Sequence, residues 1–305
     1  VVLVSTLNKL DSSRNVIKEG GVFRSTDGGQ TFTKVLDVPT SSLVSDPGAP
    51  LRFYAGTVGH GTGSAGDGVH RTVDGGQNWT RVDTDLDLLS DTFDNDQDGT
   101  ADNAGEDADG AARIVLAVLP DPESANNAVF AALVAANTSR FMGAFRSDNL
   151  GVNWTLLGPA PVVLPAVAPA APTATQPQVN PGGQGVINLS LAVDIAGNVF
   201  VAGDAPTGGI ENIWRRDIAS GLWNTVVRAN ASGTAPHADS RDIAFDIAGR
   251  LIEANDGGIN RLINPHGLAD PDANGVAGPA RVWQSLNGNL RISEILFTGY
   301  DVLNN

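Results

Sequence analysis

The chain has 305 residues, a net charge of −15 and no cysteine. The acidic balance argues against nucleic-acid binding, which needs a basic face, and the lack of cysteine excludes disulfides, thiolate metal sites and a cysteine nucleophile. No apolar run is long enough to span a membrane. Because the chain starts at Val1 and its only methionine is Met142, we expect a processed or trimmed piece.

One pattern, Ser/Thr-x-Asp/Asn-x-Gly-x-x-aromatic, occurs three times along the chain. The third residue can accept backbone N–H groups from the residues after it, and the glycine can take a positive φ. The aromatic residue is expected to start the returning strand and to bury its ring under the turn. The pattern therefore predicts a structural hairpin turn built by Ser25, Asp27, Gly29 and Phe32, by Thr72, Asp74, Gly76 and Trp79, and by Ser147, Asn149, Gly151 and Trp154.

A second repeat surrounds these turns. Short apolar runs of Val, Ile, Phe and Ala end in aspartate and are followed by another apolar run and then by the strand that leads into the turn. The aspartates are Asp46, Asp121, Asp194, Asp246 and Asp301. One unit is therefore four strands, as in a propeller blade. The later units are about 50 residues long, an ordinary blade length. The earlier units are longer, and the insertions are 83–110 (acidic), 158–183 (rich in Pro and Ala) and 264–280.

The three turns resemble the Asp-box, or BNR, repeat of sialidase-like, sortilin-like and xyloglucanase-like β-propellers. We expect the chain to be a bacterial member of this superfamily with no assigned function. The resemblance implies an all-β fold, a β-propeller of four-stranded antiparallel blades with about five blades over 1–305. These form either a closed five-bladed ring or a segment of a larger propeller. Residues 1–6 look like a second strand and 292–301 like a first strand, which favours the segment. In this family the turn is a peripheral structural element, so the resemblance implies no catalytic role for its aspartates.

The acidic insertion contains the strongest metal signal. Carboxylates at alternate positions, a glycine at position six and a backbone carbonyl at position seven match the first part of a calcium loop. The expected ligands are Asp94, Asp96, Asp98, Thr100 and Asp102, with Glu106 in place of the Gly105 that stands at position twelve. A weaker copy contains Asp270, Asp272 and Asn274. Calcium is the expected cofactor, bound to order long loops; the alternative is a solvated acidic loop.

The stretch from Pro236 to Asp246 contains the best candidate for a ligand site. It resembles a segment of bacterial BNR and sortilin-like propellers, in which polar residues precede an inner strand near the central opening. The candidates are His237, Asp239, Arg241 and Asp242, together with Gln184 and Asn188 from the preceding unit. They are expected to form either a binding cluster or a hydrogen-bond network between blades, with Arg241 paired to a carboxylate.

These observations predict a calcium-stabilised extracellular or cell-surface module of a bacterial protein, with a binding or structural role and a glycan or another protein as partner. One alternative is a glycoside hydrolase of the sialidase or xyloglucanase type. The sequence offers no clear pair of catalytic acids for it, and Tyr54 and Tyr300, the only tyrosines, look like strand residues. The other alternative is an assembly element of a surface layer or filament, which pairs with neighbouring subunits.

Overall fold

The computed structural model describes residues 1–13, 15–58, 67–83, 86, 111–158, 179–204, 213–267 and 280–289. This part of the chain is almost entirely β-structure, with one short 3-10 turn at Ala229–Ala231. The strands are β1 Val2–Thr6, β2 Lys9–Leu10, β3 Val16–Lys18, β4 Gly21–Ser25, β5 Thr33–Leu36, β6 Thr40–Ser45, β7 Phe53–Thr57, β8 Gly68–Thr72, β9 Thr80–Arg81, β10 Ala111–Val118, β11 Val129–Ala135, β12 Phe141–Ser147, β13 Thr155–Leu156, β14 Ser190–Val193, β15 Val199–Ala202, β16 Ile213–Arg216, β17 Trp223–Thr225, β18 Asp242–Phe245, β19 Leu251–Asn255, β20 Gly258–Ile263 and β21 Val282–Ser285.

The strands form consecutive antiparallel sheets. The first sheet has the order β1-β4-β5, and the second to fifth sheets are the four-stranded meanders β6 to β9, β10 to β13, β14 to β17 and β18 to β21. The all-β propeller blades expected from the sequence are thus confirmed. The small hairpin β2–β3 is inserted between β1 and β4 and was not expected. Among the described residues, inner strands of successive sheets contact one another, but no comparable strand contact joins the fifth sheet to the first.

Each pair of neighbouring four-stranded sheets encloses an apolar core, as expected for blades that cannot bury both faces alone. The core between the second and third sheets includes Tyr54, Ile114, Leu133, Met142 and Trp154. The core between the third and fourth includes Phe130, Phe141, Leu189, Leu191 and Val199. The core between the fourth and fifth includes Phe200, Ile213, Leu251, Leu262 and Trp283.

Serine hydroxyls join the inner strands of neighbouring sheets. Ser41 Oγ donates to the carbonyl of Ile114 at 2.8 Å, and Ser42 Oγ accepts the N–H of Leu116 at 3.0 Å. The fourth and fifth sheets are joined by a buried 2.6 Å hydrogen bond between the hydroxyls of Ser190 and Ser240. These bonds fix how far one blade is displaced along the next, because an unpaired buried hydroxyl is costly.

The first copy of the repeated turn joins β4 to β5. Asp27 Oδ1 accepts the backbone N–H groups of Gln30 and Thr31, each at 3.0 Å, and the hydroxyl of Ser25 at 2.6 Å. Ser25 Oγ in turn accepts the N–H of Gly29 at 2.9 Å. The hydrogen bond from Ser25, followed by those from Thr31, holds the pKa of Asp27 well below its usual range. The carboxylate is therefore used as a turn acceptor.

The second and third copies have the same construction between β8 and β9 and between β12 and β13. Asp74 Oδ1 accepts the N–H of Asn78 at 3.0 Å, and Asn149 Oδ1 accepts the N–H of Asn153 at 2.8 Å. The pattern glycines have φ values of +93° at Gly29, +84° at Gly76 and +87° at Gly151. An asparagine thus builds the same turn as an aspartate, because the backbone bond needs only one side-chain oxygen.

Neighbouring turns are also joined to each other. The arginine that precedes each of the first two turns donates to the carbonyl of the fourth residue in the next turn. Arg24 Nε reaches the Gly75 carbonyl and Arg71 Nη1 reaches the Leu150 carbonyl, both at 2.8 Å. The outer edges of the first three blades are therefore held in register by charge-assisted hydrogen bonds.

The aromatic residues of the turns differ in burial. Trp154 is 7% exposed, but Phe32 is 42% exposed, so the expectation of a ring buried under the turn is wrong for the first copy. The reason is that Trp154 packs against the preceding sheet, whereas no described sheet precedes the one that Phe32 adjoins. Trp79 of the second copy is half-buried. The turn alone does not bury the ring.

Three tryptophans bridge consecutive sheets through their indole N–H groups. The acceptor is in each case a carbonyl just after the last strand of the preceding sheet. The bonds are Trp154 to Val82 at 2.9 Å, Trp223 to Leu157 at 2.8 Å and Trp283 to Val226 at 2.8 Å. The buried Nε1 of Trp79 has no hydrogen-bond partner within the described part of the chain.

Acid sensitivity of the turns provides a first prediction. Hydrogen bonds from Asn78, first of all the one from its backbone N–H, lower the pKa of Asp74. The Asp74 carboxylate therefore stabilises the fold in full above the unfolded-state pKa of about 3.9. This stabilisation is lost as the pH falls toward the lower pKa of the folded state. Melting temperatures measured from neutral pH down to about pH 2 should therefore fall less steeply below pH 4 for Asp74→Asn than for the wild type. Asp74→Ala should melt lower already at neutral pH, and parallel curves for wild type and Asp74→Asn would contradict this.

A second prediction concerns Leu150, which has a φ of +64° where the other two turns have Gly28 (+77°) and Gly75 (+71°). A left-handed conformation costs an L-residue about 1–2 kcal/mol, partly offset by the larger unfolded-state entropy of glycine. Leu150→Gly should thus stabilise the fold by up to about 1 kcal/mol in chemical denaturation. Val152→Gly, in the same turn but without a positive φ, is the control and should not stabilise.

Candidate ligand-binding face

The inner strands β6, β10, β14 and β18 all begin at one end of the sheets, which we call the upper end. The described residues just before β14 and β18 lie there, as do the end of β15 and the turn between β19 and β20, because each sheet is an antiparallel meander. All six residues of the predicted cluster are in or next to these loops and turns. The upper end is therefore where the candidate site is found.

Three residues of the predicted cluster tie the fourth and fifth sheets together. Asn188 Nδ2 donates to Asp239 Oδ1 at 2.7 Å and to Gln184 Oε1 at 3.0 Å. Asn188 is 1% exposed, and Asp239 has a left-handed φ of +73°. A strained backbone at a polar contact is held only when its surroundings fix it. Here the N–H of Ser240 also donates to the Gly203 carbonyl, at 3.0 Å.

A buried carboxylate that the sequence did not single out holds the loop before β14. Asp204 is fully buried, and its two oxygens accept the N–H groups of Gly182 at 2.9 Å and Gln184 at 2.8 Å. Burial raises the pKa of Asp204, and the nearby charge of Asp239 acts in the same direction. Both oxygens are engaged with backbone, so this carboxylate orders the loop that carries Gln184.

The other three predicted residues face solvent. Arg241 donates through Nε and Nη2 to Asp256 Oδ1, at 3.0 and 2.9 Å, and both side chains are 44% exposed. Asp242 and the ring of His237 are exposed as well. The main chain beneath them is fixed, since the His237 carbonyl accepts the Nδ2 of Asn255 at 2.9 Å. The predicted cluster thus divides into a set that links the two sheets around the buried Asn188 and a set that faces solvent without linking them.

Arg113, at the start of β10, also lies at the upper end, and the sequence analysis did not predict it as part of the site. Its Nη1 donates to the carbonyls of Ile187 at 2.7 Å and Gly185 at 3.3 Å. Burial lowers the pKa of Arg113, and the positive charge of Arg241 lowers it further. A signal was available in the sequence: Arg113, Asn188 and Asp239 each stand six to eight residues before a strand-ending aspartate.

The predicted metal ligands are outside the part of the chain that the structure describes. Asp94 to Glu106 and Asp270 to Asn274 lie outside the described residues. Within the described ranges, no group of three or more His, Cys, Asp and Glu side chains could hold a metal ion. In the same ranges, no helix is long and apolar enough to cross a membrane.

No family model matches the chain, and no curated protein matches its sequence. Its structure is similar to that of the GH74 xyloglucanase from Xanthomonas campestris, with 13% identity over 92% of this chain and 45% of that chain and a TM-score of 0.43. It is also similar to YCF48 bound to D1 peptide (17% identity, 86% and 60% coverage, TM-score 0.38) and to the α-L-arabinanase of Penicillium chrysogenum complexed with arabinobiose (14% identity, 81% and 70% coverage, TM-score 0.40). The chain spans less than two thirds of the length of the first two proteins.

Proposed function

We propose that the chain is a calcium-stabilised, extracellular Asp-box propeller module of a bacterial protein, and that its upper end binds a polar partner, a glycan or a polypeptide. The observation that carries this proposal is that the upper end combines fixed loops with exposed polar groups. The hydrogen bonds of Asn188, Asp239 and Asp204 fix the loops, and the Arg241–Asp256 pair, Asp242 and His237 are exposed at the same end of the sheets. Exposed polar groups on loops held by a rigid scaffold are typical of binding sites.

Calcium and the extracellular location are supported by the sequence. The alternate carboxylates from Asp94 to Asp102 supply hard oxygens at the spacing that calcium prefers. A secreted protein meets enough calcium to fill such a loop, and a metal that binds only the folded state stabilises it by mass action. The insertions that contain these loops are long and have few apolar residues with which to form a core. A bound calcium ion would order them.

Glycoside hydrolysis is the alternative, and it needs two carboxylates that face the same sugar. Asp204 has the raised pKa of a proton donor, but it is fully buried and both its oxygens accept backbone N–H groups. Asp239 is bonded to Asn188. Neither Asp204 nor Asp239 is thus free to act on a sugar, which favours binding without turnover. The third alternative, a filament or surface-layer element, has no specific contact among the described residues in its favour.

A combined binding and turnover assay tests the proposal. The chain, in calcium-containing buffer, is screened against immobilised plant, bacterial and animal polysaccharides and against a peptide library, and every hit is incubated with the protein and assayed for new reducing ends or cleaved peptide. We expect saturable binding and no product. Product formation at a rate that scales with protein concentration would replace the binding module with an enzyme, and failure of the native protein to bind any class would reject the proposed role.

A further inference from the structure

A polar cleft lies between the first two repeated turns, where the first and second sheets adjoin. Its volume is about 280 Å³, close to the lower limit for ligand-binding clefts. The lining has one apolar side chain and otherwise guanidinium, hydroxyl and amide groups: Arg24, Thr26, Thr31, Thr33, Val35 and Gln77. All of these residues belong to β4, β5 and the two turns, and none belongs to β1.

The two turns each supply one wall of this cleft. Arg24 and Thr33 are directly opposite each other on β4 and β5, so their side chains lie on the same face of the first sheet. That face is turned toward the second sheet, because Arg24 Nε donates to the Gly75 carbonyl at 2.8 Å. Gln77 follows two residues after Gly75, and its Nε2 donates to the Asp74 carbonyl at 3.0 Å. Hydrogen bonds therefore hold both walls.

Several polar groups of the cleft have no partner among the described residues. Arg24 is half-buried, its hydrogen bond to Gly75 uses Nε, and no described carboxylate lies within 4 Å of it, so Nη1 and Nη2 can donate to a ligand. In the same part of the chain, the hydroxyls of Thr26 and Thr33 and the Oε1 of Gln77 form no hydrogen bond. A ligand in the cleft thus meets guanidinium donors beside hydroxyls that can both donate and accept.

The third turn contains a carboxylate partner for the same arginine. Arg146 is the counterpart of Arg24, and it donates through Nε and Nη2 to Asp148 Oδ1, at 2.8 and 2.7 Å. Asp148 stands at the turn position that Thr26 has in the first copy. The third turn therefore supplies its own carboxylate, whereas the first turn has a threonine and a cleft beside its arginine.

The second turn has the arginine without the polar lining. Arg71 donates to the Leu150 carbonyl as Arg24 does to that of Gly75. The counterparts of Thr26 and Gln77 at Arg71, however, are Val73 and Val152, which are 61% and 51% exposed. The hydroxyl and amide groups beside the arginine therefore belong to the first pair of turns and not to the second.

We propose that this cleft binds one uronic-acid residue of an acidic polysaccharide. The sugar carboxylate accepts hydrogen bonds from Nη1 and Nη2 of Arg24, and the sugar hydroxyls bond to Thr26, Thr33 and Gln77. A sugar is favoured over the side chain of an acidic peptide, because a peptide carboxylate would use the guanidinium and leave the hydroxyls and the amide unused. The cleft lies at the opposite end of the sheets from the upper end, so it is a second, independent site.

The test uses the full chain, trigalacturonate and its methyl ester, which keeps the ring hydroxyls but has no charge. Affinities are measured by saturation-transfer NMR titration at about 0.15 M salt, which screens the repulsion by the net negative charge beyond about 8 Å. The wild type should bind trigalacturonate at least about tenfold more tightly than the ester, the effect of a charge-assisted pair.

Three variants, each checked by thermal melting, assign this preference to the cleft. Arg24→Gln should bind the acid no more tightly than the ester. Thr26→Val, which copies the second turn, should weaken binding of the acid about twofold to tenfold, the effect of one hydrogen bond. Arg71→Gln is the matched control, because it loses the same kind of bond between turns, and it should bind like the wild type.

Four results would overturn the proposal. The first is wild type that does not bind trigalacturonate saturably or does not prefer it to the ester, and the second is an equal loss in Arg24→Gln and Arg71→Gln. The third is a loss in Arg241→Ala with none in Arg24→Gln, which would place the sugar at the upper end. The fourth comes from hexaglutamate, tested in parallel: binding as tight as that of trigalacturonate, with the same dependence on Arg24, would identify a site for acidic peptides.

Discussion

Replacing Trp154 by alanine should lower the free energy of unfolding by about 3–5 kcal/mol, the usual cost of truncating a large buried aromatic residue. Trp154 is 7% exposed and lies in the core between the second and third sheets. Its Nε1 donates both to the Val82 carbonyl at 2.9 Å and to the Gly151 carbonyl at 3.0 Å. The substitution therefore removes apolar packing and a hydrogen bond between blades at once.

Replacing Trp154 by phenylalanine separates the contribution of apolar packing from that of the hydrogen bond. Trp154→Phe keeps a ring but loses the indole N–H, so it should cost about 1–3 kcal/mol, the price of leaving a buried carbonyl without its donor. Trp79→Phe is the matched control, because the buried Nε1 of Trp79 has no partner among the described residues. Its removal should be close to neutral or stabilising. Equal losses for the two phenylalanine variants in urea denaturation would contradict the bridging role of the indoles.

Calcium removal is the second large effect that we expect. If calcium binds only the folded chain, its presence at a hundredfold excess over the dissociation constant adds about 2.7 kcal/mol. Chelation with EGTA should therefore lower the melting temperature of the wild type, and restored calcium should reverse the change. Asp96→Ala/Asp98→Ala removes two expected ligands and should melt at the same lower temperature with or without calcium.

The control for the calcium experiment removes the same charge elsewhere. Glu123→Ala/Asp148→Ala deletes two exposed carboxylates outside the acidic insertion and should retain the full calcium response. Magnesium at equal concentration should produce a smaller shift, because it binds fewer protein oxygens and keeps its waters. An EGTA-insensitive wild type, or a calcium response that persists in Asp96→Ala/Asp98→Ala, would identify the insertion as a solvated acidic loop.

Local chemistry made the turns and the four-strand units predictable from the sequence. The bonds of Asp27 and Asp74 run to residues three and four positions later in the chain, so residue type and spacing determine them. The strand-ending aspartates behave in the same way: Asp194 Oδ1 accepts the N–H groups of Ala196 and Asn198, at 2.9 and 2.8 Å. Signals of this kind need no knowledge of the neighbouring blade.

Features that depend on tertiary packing were harder to predict from the sequence. Phe32 fits the turn pattern, but its burial depends on a preceding sheet. The hairpin β2–β3 is too short to give a periodic pattern, with two residues in one strand and three in the other. The contact of Asn188 with Asp239 spans 51 positions, so the sequence could nominate both residues but not their pairing. Arg113 follows directly on the acidic insertion, which hid its place at the start of an inner strand.

The binding role of the upper end is tested most directly by titrating the tightest polysaccharide or peptide hit into wild type, Arg241→Ala and Arg250→Ala by calorimetry. Arg250 forms a half-buried ion pair with Asp246, at 2.7 Å, at the opposite end of the same sheet. Arg241→Ala should weaken binding at least about tenfold, the effect of losing a charge-assisted contact, while Arg250→Ala should bind like the wild type. Equal affinity of all three proteins, or a loss confined to Arg250→Ala, would contradict the upper end as the binding face.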